Sequence, residues 1–290
     1  MLEIFSITGP IYIVIFAGYL ATHLGLFVKE DMRILGKFVI NFALPSLLFL
    51  SLSQRHVSEI LNTGYLLAYL AGSLVVLVVG YLWARHLAGL SMTTSTFYAM
   101  GMTCPNSGYV GYPVLLLTMA PIAGVSLALN MLAENLIMIP LLLVMAELGR
   151  GRSGRWYRVF WQLMVRLALN PLIIAIIAGF CISVSGWRLP DILARSVNFF
   201  AMASGALSLF VIGGSLVGLS VKGVGRKTVP IAFGKLVLHP LAVLLAVLCL
   251  PLVGLPIRDP SLRTAVVLMA AMPMMSIYTI LAQNYGQEDI

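Results

Sequence analysis

The feature that most restricts the fold of this chain is a series of nine long apolar stretches. A helix needs about 20 mostly apolar residues to cross the hydrocarbon of a bilayer. Only 10% of the 290 residues are charged, against roughly a quarter in soluble domains. The sequence therefore predicts an all-α polytopic membrane protein and excludes a water-soluble enzyme, a nucleic-acid-binding protein and a disordered chain. The predicted spans lie at about 4–24, 34–54, 62–84, 95–119, 121–148, 168–187, 196–219, 228–250 and 262–283.

The positive charges indicate the orientation of the spans, because short cytosolic loops of membrane proteins collect lysine and arginine. One side of the bilayer receives Arg150, Arg152, Arg155, Arg158, Arg166, Lys29, Arg33, Arg85, Lys222, Arg226 and Lys227. The other side receives only Arg55, Arg188, Arg195, Arg258 and Arg263. We therefore expect a multi-pass protein of the cell membrane, of the bacterial inner-membrane type, with its N-terminus outside and the basic loop 149–167 in the cytosol. Topology then accounts for most of the net charge of +8.

An internal repeat relates the two halves of the chain. A shift of 161 residues aligns 10–49 with 171–210 without a gap, and places Pro10 on Pro171 and Gly25 on Gly186. Five spans precede the second copy, so the copies would enter the bilayer from opposite sides as an inverted repeat. The predicted parts are 1–148 as the first five-helix repeat, 149–167 as the linker and 168–290 as the second repeat. By the same logic a tenth helix, matching 121–148, is expected after residue 290.

Helix-breaking residues are concentrated in the fourth predicted span. Residues 101–113 contain three glycines and two prolines; proline removes a backbone donor and glycine weakens a helix further. Such a break survives in hydrocarbon only where protein buries it or where it lines a wet cavity. We expect a broken helix here and, at the repeat-related position, a second break, around Pro113 and Pro273 respectively. The alternative is a packing kink at each place.

A break exposes a helix N-terminus, whose free amides and positive dipole end attract a carboxylate. We therefore expect an anion-binding site at the two breaks. Asn41 and Pro45, which we expect to break the second span, would add to the cavity wall, although small residues that allow close helix packing are an equal alternative. The remaining candidate binding residues are Pro105, Asn106, Ser107, Gly108, Gly111, Pro113, Pro273 and Ser276.

Three features of the chain resemble the auxin efflux carrier family. These are Pro105-Asn106-Ser107-x3-Gly111-x-Pro113, the later Pro273-x8-Ala282-x2-Tyr285-Gly286, and the basic loop in mid-chain. The family includes bacterial malonate-type carriers and the plant PIN auxin exporters, and is distantly similar in fold to the sodium–bile acid symporters. The resemblance implies two inverted repeats of five helices, an elevator-like transport domain interleaved with a scaffold, and fourth and ninth helices that cross at broken midpoints. It also implies an organic anion beside the crossover, with Asn106 at the family's crossover asparagine. Tyr278 stands where plant members carry a second proline.

Ionisable residues inside the predicted spans are candidates for coupling or charge balance, since they are costly in hydrocarbon. Glu134 lies between Asn130 and Asn135, and a carboxylate beside amide oxygens suits a proton or a cation; a glutamate that only joins helices is the alternative. Lys235 and His239 are four residues apart and share a helix face. They would balance substrate charge or move a proton. Alternatively, Lys235 extends toward the cytosolic end of its span.

No enzyme motif competes with a transport function. The sequence contains no HExxH, no GxSxG, no glycine-rich phosphate loop before a strand and no paired aspartates. A membrane hydrolase using Glu134 and His239 would lack a nucleophile and a metal partner. The three cysteines lie far apart, so neither a disulfide nor a metal site is expected.

These features predict a secondary carrier of small organic anions that works by alternating access, either proton-coupled or as a uniporter. A sodium-coupled symporter, and a channel or sensor that uses the same cavity, are the alternatives. We expect no cofactor apart from a coupling ion, H⁺ or Na⁺. The expected partners are the organic anion and the lipid bilayer, with a homodimer left open and no nucleic acid.

Overall fold

The computed structural model describes residues 2–55, 60, 62–150, 156–187, 189–218 and 228–287. These residues form helices and connections without a β-strand, which confirms the predicted all-α class. Six of the charges used to predict topology lie outside the described residues: Arg152, Arg155, Arg188, Lys222, Arg226 and Lys227. The helices are α1 (Leu2–His23), α2 (Lys29–Ser53), α3 (Thr63–Leu87), α4 (Met92–Thr103), α5 (Ser107–Gly149), α6 (Trp156–Ala168), α7 (Pro171–Ser185), α8 (Asp191–Ser215), α9 (Thr228–Val253), α10 (Pro260–Ala271) and α11 (Tyr278–Asn284).

Within the described residues, five helices are long and apolar enough to cross a bilayer, namely α2, α3, α5, α8 and α9. A sixth span is obtained if the pair Phe160–Ala168 and Pro171–Ser185 is counted as one broken span. The predicted span 4–24 is occupied by α1, a helix of 22 residues. The predicted spans 95–119 and 262–283 are each divided into shorter pieces by a break. Helix α5 covers 43 residues and leaves helical geometry at Met119, where the fourth and fifth predicted spans were separated.

Polar residues fix where several helices begin. The side chain of Asn62 accepts a hydrogen bond from the backbone N–H of Tyr65 at the start of α3, and Ser91, Asn170 and Asp259 act in the same way on α4, α7 and α10. These side chains replace hydrogen bonds that the first turn of a helix cannot make internally. The caps explain why the apolar runs start where they do.

Gly25 and Gly186, which the sequence repeat pairs with one another, have similar backbone geometry. Both have a left-handed φ, of 79° and 65°, just beyond the ends of α1 and α7. Glycine adopts this conformation without steric cost, which suits the end of a helix. The two glycines therefore follow their helices in the same backbone conformation, while the internal repeat and its inverted topology stay predictions.

Helical turns of the π type occur at five places among the described residues, and four of them precede a proline. In three of the four, the residue before the proline donates to the carbonyl five positions earlier. Proline has no N–H for the carbonyl four residues back and its ring presses against that carbonyl, so a wider turn relieves the clash. The four turns are Val39–Ala43 before Pro45, Ser107–Gly111 before Pro113, Glu134–Met138 before Pro140 and Gly234–Leu238 before Pro240.

The prediction that Asn41 and Pro45 break the second span is wrong. Helix α2 continues through both residues, and Asn41 lies in its π turn. The wider turn accommodates Pro45 without interrupting the helix.

The chain divides into two compact units. The first unit comprises 1–61, 108–128 and 170–222, and includes α1, α2, α7 and α8. The second unit comprises 62–107, 129–169 and 223–290, and includes α3, α4, α6, α9, α10 and α11. Helix α5 contributes to both units, so each unit combines residues from both predicted repeats. The predicted repeat boundaries themselves stay a prediction.

Helices α1 and α8 of the first unit approach each other through glycine. A Cβ added at Gly213 would overlap the carbonyl oxygen of Ile15, and one at Gly18 would overlap the carbonyl oxygen of Phe210. We expect Gly213→Val to lower the thermal unfolding midpoint of the detergent-solubilised protein, because overpacking costs about 1–3 kcal/mol or more when backbone must move. Gly9→Val, at an open position of α1, is the control. Equal midpoints for Gly213→Val and the wild type would contradict this packing.

Candidate substrate and coupling site

Two helix breaks meet within the second unit. Helix α4 ends at Thr103 and α5 begins at Ser107, while α10 ends at Ala271 and α11 begins at Tyr278. The two intervening segments form an antiparallel bridge. The backbone N–H of Asn106 donates to the Pro273 carbonyl at 2.7 Å, and that of Met275 donates to the Cys104 carbonyl at 3.0 Å. Backbone N–H and carbonyl groups that lack helical partners at one break therefore bond to those of the other break. Non-helical backbone inside a membrane protein needs such partners.

The crossing of two broken helices is confirmed, but the first break lies at Pro105 and not around Pro113. Pro113 stands inside α5, just after the π turn Ser107–Gly111. The wider turn accommodates the ring of Pro113, so the helix continues through it. Pro105, in contrast, lies in the non-helical segment between α4 and α5.

Side chains from both breaks meet at the crossing. The Asn106 Nδ2 donates to the Ser276 Oγ at 2.7 Å. Asn106 is almost buried, whereas Pro273 and Ser276 are exposed. The crossing thus presents an amide and a hydroxyl close to an accessible edge, and both are suitable partners for an oxyanion.

Glu134 is the centre of a buried hydrogen-bond network behind the crossing. Its Oε1 accepts from Ser107 Oγ at 2.6 Å, from Tyr69 Oη at 3.0 Å and from Asn130 Nδ2 at 3.5 Å. The Oδ1 of Asn130 accepts from the hydroxyl of Tyr65 at 2.8 Å. The carboxyl group is thus connected to the first residue of α5 and to two tyrosines of α3.

Lys235 and His239 form a second buried cluster with Ser73. The Lys235 Nζ lies 2.6 Å from His239 Nδ1 and donates to the Ala270 carbonyl at 2.9 Å. The His239 Nε2 lies 2.9 Å from the Ser73 Oγ. Lys235 is only 2% exposed, so it does not extend toward the end of its helix. The π turn Gly234–Leu238 contains Lys235 and directly precedes His239, and such turns are frequent at functional sites.

Sequence reasoning missed three members of these clusters, Tyr65, Tyr69 and Ser73. They are spaced by four residues along α3 and therefore share one face. Tyr69 joins the clusters, because its hydroxyl donates to Glu134 while its ring packs edge-on against His239 at 5.7 Å. Hydroxyls at helical spacing in an otherwise apolar span were the signal that could have revealed them.

The buried acid and base lie beside helix ends of opposite polarity. Glu134 contacts Ser107, the first residue of α5, and a helix N-terminus carries a partial positive charge. Lys235 contacts the carbonyl of Ala270 in the last turn of α10, where a helix carries a partial negative charge. Each ionisable group therefore lies next to the helix end that suits its charged form.

Some predicted site residues lie elsewhere. The Asn135 Nδ2 donates to the Met131 carbonyl of its own helix at 2.9 Å, so that it is not bonded into the Glu134 network. Asn41 is exposed in the first unit, where its Nδ2 donates to the Lys37 carbonyl. Pro45 also belongs to the first unit, to which Gly108, Gly111 and Pro113 are assigned as well, although Gly108 directly follows Ser107 in the first turn of α5.

Comparison with known proteins identifies the family to which this chain belongs. The model of a family described as membrane transport protein matches residues 6–289. The chain belongs to this family. The resemblance to the auxin efflux carriers is thereby confirmed.

Similar proteins carry names from transport. The chain is 28% identical over 286 residues to a protein of Rhizobium meliloti named "Putative malonate transporter", and the match covers 99% of this chain and 88% of that protein. An uncharacterised transporter of Escherichia coli K12, YfdV, is 25% identical, with 81% and 76% covered. One from Methanothermobacter thermautotrophicus is 26% identical, with 70% and 64% covered. This family member is therefore a multi-pass membrane transporter, and the three similar proteins are named as transporters.

Proposed function

We propose that this transporter is a secondary carrier of small organic anions that works by alternating access. The observation that carries the proposal is the crossing of two broken helices, with the Asn106 amide and the Ser276 hydroxyl 2.7 Å apart at its accessible edge. Both groups can donate hydrogen bonds to a carboxylate, and α5 begins beside Asn106 with its positive dipole end. A carboxylate at this edge would replace the bond between Asn106 and Ser276.

The two buried clusters would supply coupling and charge balance. Glu134 can take up and release a proton, and Lys235 with His239 can offset the charge of an anion; all three are buried in the unit that contains the crossing. We propose proton coupling as the leading mode, in the cell membrane and without a bound cofactor. Sodium coupling is the second candidate, because the hydroxyl oxygens of Ser107 and Tyr69 lie within 3.0 Å of the Glu134 carboxylate, and carboxylate and other oxygen ligands suit hard cations.

The test of the site is exchange of labelled carboxylates across liposomes that contain the purified protein. Short dicarboxylates such as malonate are tried first, because a similar protein is named for malonate. Asn106→Ala should lower exchange by about 10- to 150-fold, since a hydrogen bond to a charged group contributes roughly 1.5–3 kcal/mol. Asn198→Ala, at an exposed asparagine of α8, is the matched control and should exchange at the wild-type rate.

The outcomes separate the candidate functions. Unchanged exchange by Asn106→Ala would remove this residue from the site, and absence of flux for every carboxylate would contradict the carrier. Currents far above carrier turnover would indicate a channel, and ligand binding without flux would indicate a sensor. Uptake under imposed pH and sodium gradients then decides between the coupling ions.

A further inference from the structure

Helix α6 differs from the spanning helices in length and charge. It has 13 residues, which corresponds to about 20 Å at 1.5 Å per residue, whereas the hydrocarbon core is about 30 Å thick. It also carries Arg158 and Arg166. Its length and charge are those of a helix at the membrane surface, and they favour this position over the alternative in which Phe160–Ala168 and Pro171–Ser185 form one broken span.

One face of α6 is apolar and exposed. Tyr157, Trp161 and Val165 follow one another at intervals of four residues, so they lie on one face, and Leu169 continues the same line just beyond the helix end. All four are exposed, with Trp161 and Leu169 each at 70%. Tryptophan and tyrosine are the side chains enriched at membrane–water interfaces.

The neighbouring face is basic and equally open. Arg158, Gln162 and Arg166 are also spaced by four residues, and all are exposed. Leu163, on the remaining side, packs against a buried cluster of the second unit that includes Leu143 and Ala146. Core contact therefore holds α6 on one side, while its aromatic and its basic faces are exposed.

The charge of the sequence segment that contains α6 is of one sign. Residues 150–169 contain five arginines and neither aspartate nor glutamate, although Arg152 and Arg155 lie outside the described residues. An exposed apolar stripe beside exposed arginines matches the acyl-chain boundary and the phosphate layer of an anionic leaflet.

We propose that α6 is an interfacial helix whose aromatic stripe enters the bilayer surface and whose arginines bind anionic phospholipid headgroups. Positive residues near an anionic surface each contribute roughly five-fold to binding at physiological ionic strength. The pair Arg158 and Arg166 should therefore recruit anionic lipid to the vicinity of Trp161.

The experiment uses the full chain in phosphatidylcholine vesicles that contain brominated phosphatidylglycerol or, at the same content, brominated phosphatidylcholine. Bromine quenches only nearby tryptophan, and subtraction of the Trp161→Phe signal isolates Trp161 from the other three tryptophans. We expect the Trp161 signal to be quenched several-fold more by phosphatidylglycerol than by phosphatidylcholine. In the double variant Arg158→Gln/Arg166→Gln, the two lipids should quench the Trp161 signal equally.

Arg33→Gln/Arg195→Gln, which removes two exposed arginines from α2 and α8, is the matched control and should keep the preference. Equal quenching of the wild type by both lipids would overturn headgroup binding, as would a preference that survives in Arg158→Gln/Arg166→Gln. A Trp161 that neither lipid quenches would mean that protein covers this face, and would overturn the interfacial position. None of these outcomes depends on the transported substrate.

Discussion

Replacing Glu134 with glutamine is expected to abolish carboxylate uptake driven by a pH gradient while leaving the protein folded. Glutamine keeps an oxygen in place of Oε1 for the Ser107, Tyr69 and Asn130 donors, so that no buried donor loses its partner. It cannot bind and release a proton as a carboxyl group does. Uptake into liposomes with an alkaline interior should therefore fall to the background of protein-free liposomes, while exchange at equal pH continues.

Glu147→Gln is the control for this prediction, because Glu147 is also buried in α5 and its carboxylate lies 4.0 Å from Arg150, away from the Glu134 network. It should accumulate substrate as the wild type does. If Glu134→Gln retains gradient-driven uptake, Glu134 only joins helices, as the alternative interpretation held. If accumulation in the wild type follows a sodium gradient instead, the coupling ion in the proposal is wrong.

Replacing Lys235 with methionine is expected to reduce both transport and stability. Methionine has a similar length but no N–H, so the carbonyl of Ala270 and the ring of His239 lose the Lys235 Nζ as a partner. The His239 Nδ1 and the Ala270 carbonyl still lie 3.1 Å from each other, so the loss is that of the two hydrogen bonds to Nζ, at about 0.5–1.5 kcal/mol each. Because Ala270 lies directly before the second break, we expect exchange to fall at least about ten-fold and the unfolding midpoint to decrease.

The double variant Glu134→Gln/Lys235→Met separates loss of a charge partner from loss of packing. Glu134 and Lys235 have opposite charges when ionised and belong to clusters that Tyr69 joins, and removal of one buried charge leaves the other uncompensated. The double variant should therefore unfold at a higher temperature than additive single effects predict. Strict additivity would mean that the two clusters are independent. Lys37→Met, at an exposed lysine of α2, controls for loss of positive charge as such.

The membrane class and the buried polar side chains of the candidate site could be predicted from the sequence, since a charged or amide group is rare in an apolar span. Asn106, Glu134, Lys235 and His239 were found in this way, and all four are buried or nearly so in one unit. Their partners were harder to find, because Tyr69 is an ordinary residue in a membrane helix until its hydroxyl is seen to reach Glu134.

The positions of the breaks were predicted less well, since proline has two outcomes in a membrane helix. Pro105 lies in a true interruption, whereas Pro45 and Pro113 follow π turns within continuing helices. A proline removes the same hydrogen bond in either case, and tertiary contacts decide whether the helix widens or ends. At Pro105 the decisive contact is the bridge to the second break, which residues far away in sequence provide.

The π turns also affect how this chain should be aligned with its relatives. A turn closed over five residues holds one residue more than an ordinary helical turn, so a relative without it would lack a single residue at that point. Alignments of spanning helices normally forbid gaps. Forbidding them here would shift every residue after the turn by about 100° around the helix axis. His239, which directly follows the turn 234–238, would then be matched to a residue on another face of the helix in such a relative. Single-residue gaps should therefore be permitted at 39–43, 107–111, 134–138 and 234–238.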